Sequence, residues 1–364
     1  MTARILLLAT LTGLVLVCAT AAWAMHFVAD GLCGLMVAAQ DVMNVRNSSK
    51  DAQDAALRLV QDLVIGREDG EDAQLFGRIT DITVDLNGTM YVVDAGFERV
   101  QKYSKSGVFL GTIGRRGEGP GEYYAPFAVA TDDAGYVYVT GQGKISIFDS
   151  DGRFVDEFRH GLSNLIRKIR VDGSGRVFLS ALDLLTQDVV HAYESDGAKL
   201  FSFCKSFAAG TDVDTRIEQV TGGGYIDLAK DGMIYYTQMT PYEIRKYSPD
   251  GKLLLTVSRA NDFMRPIEVE YLTGDGMTFH RFTNSISIVL LPSGRFLNVV
   301  MIPTGASAWE TVVDAFEASG FLLATGRYPR GINIRCSDEK GQVYAAEREG
   351  FPKIVRYRLS LAQE

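Results

Sequence analysis

Hydrophobic and polar positions alternate along most of this chain, and short polar turns ending in glycine cut the alternation at intervals. VDLNGTMYVVD (84–94), ATDDAGYVYVT (130–140), VDGSGRVFLS (171–180), AKDGMIYYT (229–237), LPSGRFLNV (291–299) and SDEKGQVYAA (337–346) share the pattern. Their turns close at Gly88, Gly135, Gly175, Gly232, Gly294 and Gly341, and in five of the six an aromatic follows three residues later. The fifth unit departs, with Leu297 there and Phe296 one place early. A second signature places an aromatic four residues before a glycine: Tyr103/Gly107, Phe148/Gly152, Tyr193/Gly197, Tyr247/Gly251 and Phe316/Gly320. Each half reads as a β-hairpin with glycine at the left-handed position.

Strand, turn, strand, loop, strand, turn, strand is the unit of a four-stranded propeller blade. One blade cannot bury both of its faces, so six such units predict an all-β, six-bladed β-propeller over residues 56–360, with 361–364 as a tail. The sixth unit reaches its aromatic at Tyr357 and ends without a fourth strand. ALRLVQDLVIG (56–66) is expected to supply that strand and so remove an open sheet edge.

The N-terminus follows a different pattern. Arg4 precedes an uncharged run from Ile5 to Ala24 that ends Ala22-Trp23-Ala24, the form of a secretory signal peptide over 1–24. An uncleaved membrane anchor is the alternative, since twenty apolar residues just span a bilayer. Cys18 follows Val17 rather than a small residue, which makes it a poor lipoprotein acceptor. Residues 25–55 are expected to be partly helical or flexible. Either way the ring is placed outside the cytoplasm, periplasmic or secreted. Cys33, Cys204 and Cys336 are too scattered for a disulfide framework or a zinc site. Asn47-Ser-Ser and Asn87-Gly-Thr match the glycosylation pattern.

Composition is that of an ordinary globular protein, 46% hydrophobic and 23% charged. A net charge of −8 argues against general affinity for nucleic-acid backbones.

The units resemble NHL repeats of extracytoplasmic six-bladed propellers, most closely in GEGPGEYYAPFAVATDDAGYVYVT (117–140). There a glycine-rich lead, an acidic-aromatic step and a proline precede strand, turn and strand. The resemblance covers residues 56–360 and implies the fold; for function it implies a range of binding modules, RNA-binding domains and a few enzymes. Lyases of this propeller class hold a metal in the axial channel with histidines from inner strands. Here His160 lies in the connector before blade three, His191 in an outer-half strand and His280 in an insertion, so a three-histidine site is not expected.

Four places could carry chemistry. GRRGEGPGEYYAP (114–126) looks like a phosphate loop, but a strand follows it and no Lys-Ser/Thr closes it. It is expected to be the connector between blades one and two, with Arg115 and Arg116 on a rim. DSDGRFVDE (149–157) has glycine at the fourth place of a would-be calcium loop and reads as a hairpin turn. The axial channel is the third place. Counting back from each turn glycine separates an apolar face from one carrying Asp81, Lys168, Arg170, Tyr225 and Asp227, with Asn333 and Arg335 joining through a slip or bulge in blade six. Asp81 and Asp227 sit in opposite blades with the bases between them. The charges must be paired, hydrated or met by an anionic or zwitterionic ligand. Last, three insertions interrupt the repeat at 205–223, 259–284 and 301–313. The second carries Phe263, Met264, Arg265, Tyr271, Phe279, His280 and Arg281, a contact surface or packing beneath a long loop.

Together these predict an exported binding module for a protein or small extracellular ligand, with no nucleic-acid partner and with a membrane only through an uncleaved anchor. The alternative is a metal-assisted, lactonase-like hydrolase or lyase at the channel mouth. No cofactor is expected for the binding module; the enzyme would need a cation such as calcium in the axial channel, held by carboxylates and amides such as Asp81, Asp227 and Asn333.

Overall fold

The glycine-ended turns are held by their own first residue. A computed structural model describes residues 42–48, 55–162, 166–207, 215–260, 269–271, 277–279, 282–304 and 308–363, and in it the six turn glycines have φ between 75° and 88°. In the first turn Gly88 N–H donates to the Asp85 carbonyl at 2.9 Å. Asp85 Oδ1 accepts from Asn87 N–H at 2.9 Å and Thr89 N–H at 2.8 Å. The other carboxylate oxygen explains the aromatic three residues after glycine: Tyr138 and Tyr344 donate their hydroxyls to Asp132 and Asp338, each at 3.1 Å. In the third turn, where Phe178 has no hydroxyl, Arg176 takes the same oxygen of Asp172 at 2.8 Å. The fourth and fifth turns begin at Ala229 and Leu291, which offer no carboxylate, and there the aromatic serves packing instead: Tyr235 lies in the core with its ring centre 5.2 Å from that of Phe296. DSDGRFVDE is such a turn as well: Asp149 accepts from Asp151 and Arg153 N–H at 2.9 and 2.8 Å.

Four-stranded antiparallel blades follow in chain order at 79–113, 129–159, 168–205, 224–259 and 284–328. The sixth has three strands of its own, Ile332–Ser337, Val343–Glu347 and Lys353–Gln363, and its fourth is Ala55–Ile65, antiparallel to Lys353–Gln363. Alternation sends successive inner-strand residues to opposite faces. Ile82, Val129, Ile169, Ile226, Ile288 and Ile334 each face the preceding blade, and each sits in a different one of six buried clusters. Those clusters fill the six seams, including the one between blades six and one, so the ring is closed.

Two departures stand out. Met43–Asn47, within the stretch expected to be partly helical or flexible, is a strand that pairs in parallel with Leu253–Arg259 as a fifth strand of blade four. Its last residue explains why: buried Asn47 donates Nδ2–H to the Gly320 carbonyl and accepts from Leu322 N–H, both at 2.9 Å, which ties the segment to blade five. The same burial takes Asn47 out of use as a glycosylation acceptor, whereas Asn87 is exposed in its turn. The first insertion carries a short helix, Thr215–Thr221, and the second a hairpin of Val269–Tyr271 with Met277–Phe279. Among the described residues no helix is long and apolar enough to cross a membrane.

Candidate functional site

At the axis the structure brings Asp81, Lys168, Arg170, Asp227 and Arg335 together. The face carrying them looks toward the following blade, which fixes their partners. Asp81 accepts from Val129 N–H of blade two at 3.1 Å and from Ile82 N–H at 3.0 Å. Asp227 accepts from Leu290 N–H of blade five at 2.8 Å and from Leu228 N–H at 3.0 Å. Arg170 Nε donates to Asp227 Oδ1 at 2.6 Å. Lys168 crosses the axis from blade three to bond Asp81 of blade one, and also donates to the Arg335 carbonyl of blade six at 3.2 Å. Burial, with the Arg170 charge beside it, lowers Lys168 to about 8. The acids are thus paired with the bases inside a buried centre. Tyr225 differs from expectation: it lies in the core between blades four and five, with the Arg335 guanidinium 5.8 Å from its ring centre.

Inner-strand bulges shape one side of this centre. Register shifts between Ile79 and Asp81, Ser285 and Ser287, and Ile334 and Cys336 make Thr80, Ile286 and Arg335 extra residues in blades one, five and six. A bulge leaves its residue unpaired and re-aims it. Arg335 Nη1 donates weakly to the Ile286 carbonyl at 3.4 Å, while its Nε, Thr80 Oγ1 and Asn333 Oδ1 are buried without a hydrogen-bond partner among the described residues. The slip in blade six was legible from Ile332 and Ile334; the other two bulges left no mark in the pattern.

Other buried polar groups lie outside the predicted site. Cys336 packs against Ile82, and burial pushes its thiol up to about 12. Cys204 is buried and also free. Between blades four and five, buried Asp314 accepts from the Tyr242 and Thr325 hydroxyls, both at 2.8 Å, and pairs with Arg259. Its signal was one acid among apolar residues in VVDAF (312–316).

The rim arginines are committed. Arg115 pairs with Glu122 at 2.7 Å and Arg116 with Glu98 at 2.9 Å, both largely exposed. The connector they begin is a crossing path: Arg115–Arg116 lies parallel to Glu122–Tyr123, and Tyr123 donates its hydroxyl to the Ile113 carbonyl at 2.6 Å. Phe263, Met264, Arg265, His280 and Arg281 lie outside the described residues, as do the side chains of Tyr271 and Phe279, Cys33 and the whole of 1–24. His160 and His191 lie away from the inner strands, in a connector and in the third strand of blade three.

The carboxylates do not fit a resident cation well. Each already receives two N–H donors and a basic side chain, so a metal ion would have to displace an ammonium or guanidinium. Among the described residues no cluster of three or more metal-ligating side chains forms.

Comparison with known proteins speaks to the fold. The family DUF5128, described as a 6-bladed beta-propeller, matches residues 69–193. No curated protein matches the chain in sequence. A Bacteroides vulgatus protein of the DUF4221 family superposes with a TM-score of 0.57 at 10% identity, covering 85% of this chain and 99% of that one. A Bacteroides fragilis protein described as an exported one gives 0.55 at 12%, covering 88% and 99%. Virginiamycin B lyase from Staphylococcus aureus gives 0.51 at 11%, covering 84% and 100%. At such identities the likeness is one of architecture alone. The chain is a six-bladed β-propeller.

Proposed function

We propose that this propeller is an exported binding module whose ligand, a small extracytoplasmic molecule, is met at the axial channel. One observation carries the reading against the enzyme alternative: Asp81 and Asp227, the residues a catalytic cation would need, are saturated by Lys168, Arg170 and backbone N–H groups. Among the described residues, what remains at the axis is polar and carries no free carboxylate to act as base or metal ligand. Export rests on the uncharged run Ile5–Ala24 with its Ala-x-Ala end. The likeness to virginiamycin B lyase supports the ring and not its chemistry.

The test is elemental analysis of the purified chain, combined with lactone hydrolysis assays and thermal melts with and without chelator. Substoichiometric metal, no turnover and a melt indifferent to chelator are expected. Stoichiometric calcium or zinc together with hydrolysis would replace this reading with the enzyme.

A further inference from the structure

Charge at the axis does not balance. The six inner strands hold two acids, Asp81 and Asp227, and three bases, Lys168, Arg170 and Arg335. Lys168 takes Asp81 and Arg170 takes Asp227, so the unmatched cation is Arg335. It is only 7% exposed, and among the described residues no carboxylate pairs with it. A guanidinium stays protonated in proteins, so burial cannot neutralise it as it can a lysine.

The contacts Arg335 does make locate the charge. As the bulge residue of blade six it is re-aimed toward blades four and five. Its guanidinium carbon lies 5.8 Å from the ring centre of Tyr225 in blade four, and Nη1 donates to the Ile286 carbonyl of blade five at 3.4 Å, near the limit of a hydrogen bond. A ring face and one long bond to a neutral carbonyl leave most of the desolvation cost of the charge uncompensated. Nε is buried with no acceptor among the described residues. On the backbone side the Arg335 carbonyl accepts from Lys168 Nζ at 3.2 Å, so a second cationic side chain stands close by. Tyr225 is 8% exposed, and Lys168 and Asp81 are 2% and 1%, so a partner for the guanidinium must be small. Three bases against two acids leave one positive charge, so it must also be monovalent.

We propose that the axis binds one small monovalent anion of chloride's size, held against the Arg335 guanidinium and accepting from its Nε–H in a charge-assisted hydrogen bond. The ion is a structural counter-charge where blades four, five and six meet. It stands whether the ring is a binding module or an enzyme, because it neutralises a charge of the fold rather than recognising a ligand.

Thermal melts of the full chain test this, with chloride titrated against gluconate, a monovalent anion too large for the site, at constant ionic strength. A saturable rise of roughly 2–4 °C with chloride is expected, and none when sulfate takes its place. Arg335→Met is expected to lose the chloride response and to melt above the wild type in gluconate, because it removes the unmatched charge. Arg153→Ala, a change at an exposed turn, should respond as the wild type does. Wild-type crystals grown in bromide give a readout that needs no variant, an anomalous peak in contact with Arg335 Nε. A melt that does not distinguish chloride from gluconate overturns the site, as does a chloride response that persists in Arg335→Met or bromide found only elsewhere. Stabilisation by sulfate in place of chloride overturns the monovalent ion.

Discussion

Arg170 and Asp227 illustrate what a charge at the axis does. Their side chains are about nine-tenths buried, so removing one strands the other. Asp227→Ala is expected to destabilise the fold by roughly 3–5 kcal/mol in chemical denaturation, whereas Arg170→Met with Asp227→Leu should recover most of that loss. A second residue sets the acid limit. Burial, with the charge of His191 nearby, pushes His160 down to about 4 from an ordinary value of 6.5. Between those values the unfolded chain binds a proton that the folded one refuses. Its contribution is therefore complete above pH 6.5 and lost as pH falls toward 4, by at most about 3 kcal/mol. Urea melts across that range should show the slope, and His160→Asn, which keeps an acceptor for Leu162 N–H, should flatten it. That charges gather at the axis was legible from counting back to each turn glycine. Which acid takes which base was not, because Asp81 and Lys168 are 87 residues apart and their pairing depends on the blades' rotation about the axis.

Elements show where glycine serves path and where it serves space. Gly114 and Gly161 have similar backbones, φ +62° and +69°. A Cβ on Gly161 meets nothing within 4 Å, but one on Gly114 falls 2.6 Å from the Tyr123 ring and 2.8 Å from that of Phe148. Gly161→Ala should cost about 1 kcal/mol of backbone strain, and Gly114→Ala clearly more, read as midpoint shifts in urea. The glycine-rich run that looks like a phosphate loop is thus held by close packing in a connector. The Met43–Asn47 strand was not legible: five residues, MNVRN, carry no clear alternation, and what holds them is a distant backbone. Asn47→Ala would leave Leu322 N–H and the Gly320 carbonyl unsatisfied in a buried place. A loss of about 1–3 kcal/mol is expected, with faster hydrogen exchange at Leu322 as the local sign.

Across the whole molecule, six filled seams make each blade depend on two neighbours, and the ring is as strong as its closure. A chain beginning at residue 50 is expected to fold and melt in one transition. One beginning at residue 67 should aggregate, because it bares the hydrogen-bonding edge of Lys353–Gln363. Size-exclusion chromatography of the two truncations decides this. Blade number and the closing strand were legible because both rest on local repeats. Yet the closure joins residues 55–65 to 353–363, nearly the full length of the chain. That pairing also sets an order of events in time: as the polypeptide leaves the ribosome or a translocon, its early strand waits without its antiparallel partner until the last residues emerge. Loop closure over such a distance is slow, so for that interval the newborn chain presents an open edge, and it is then, rather than once folded, that it most needs a chaperone.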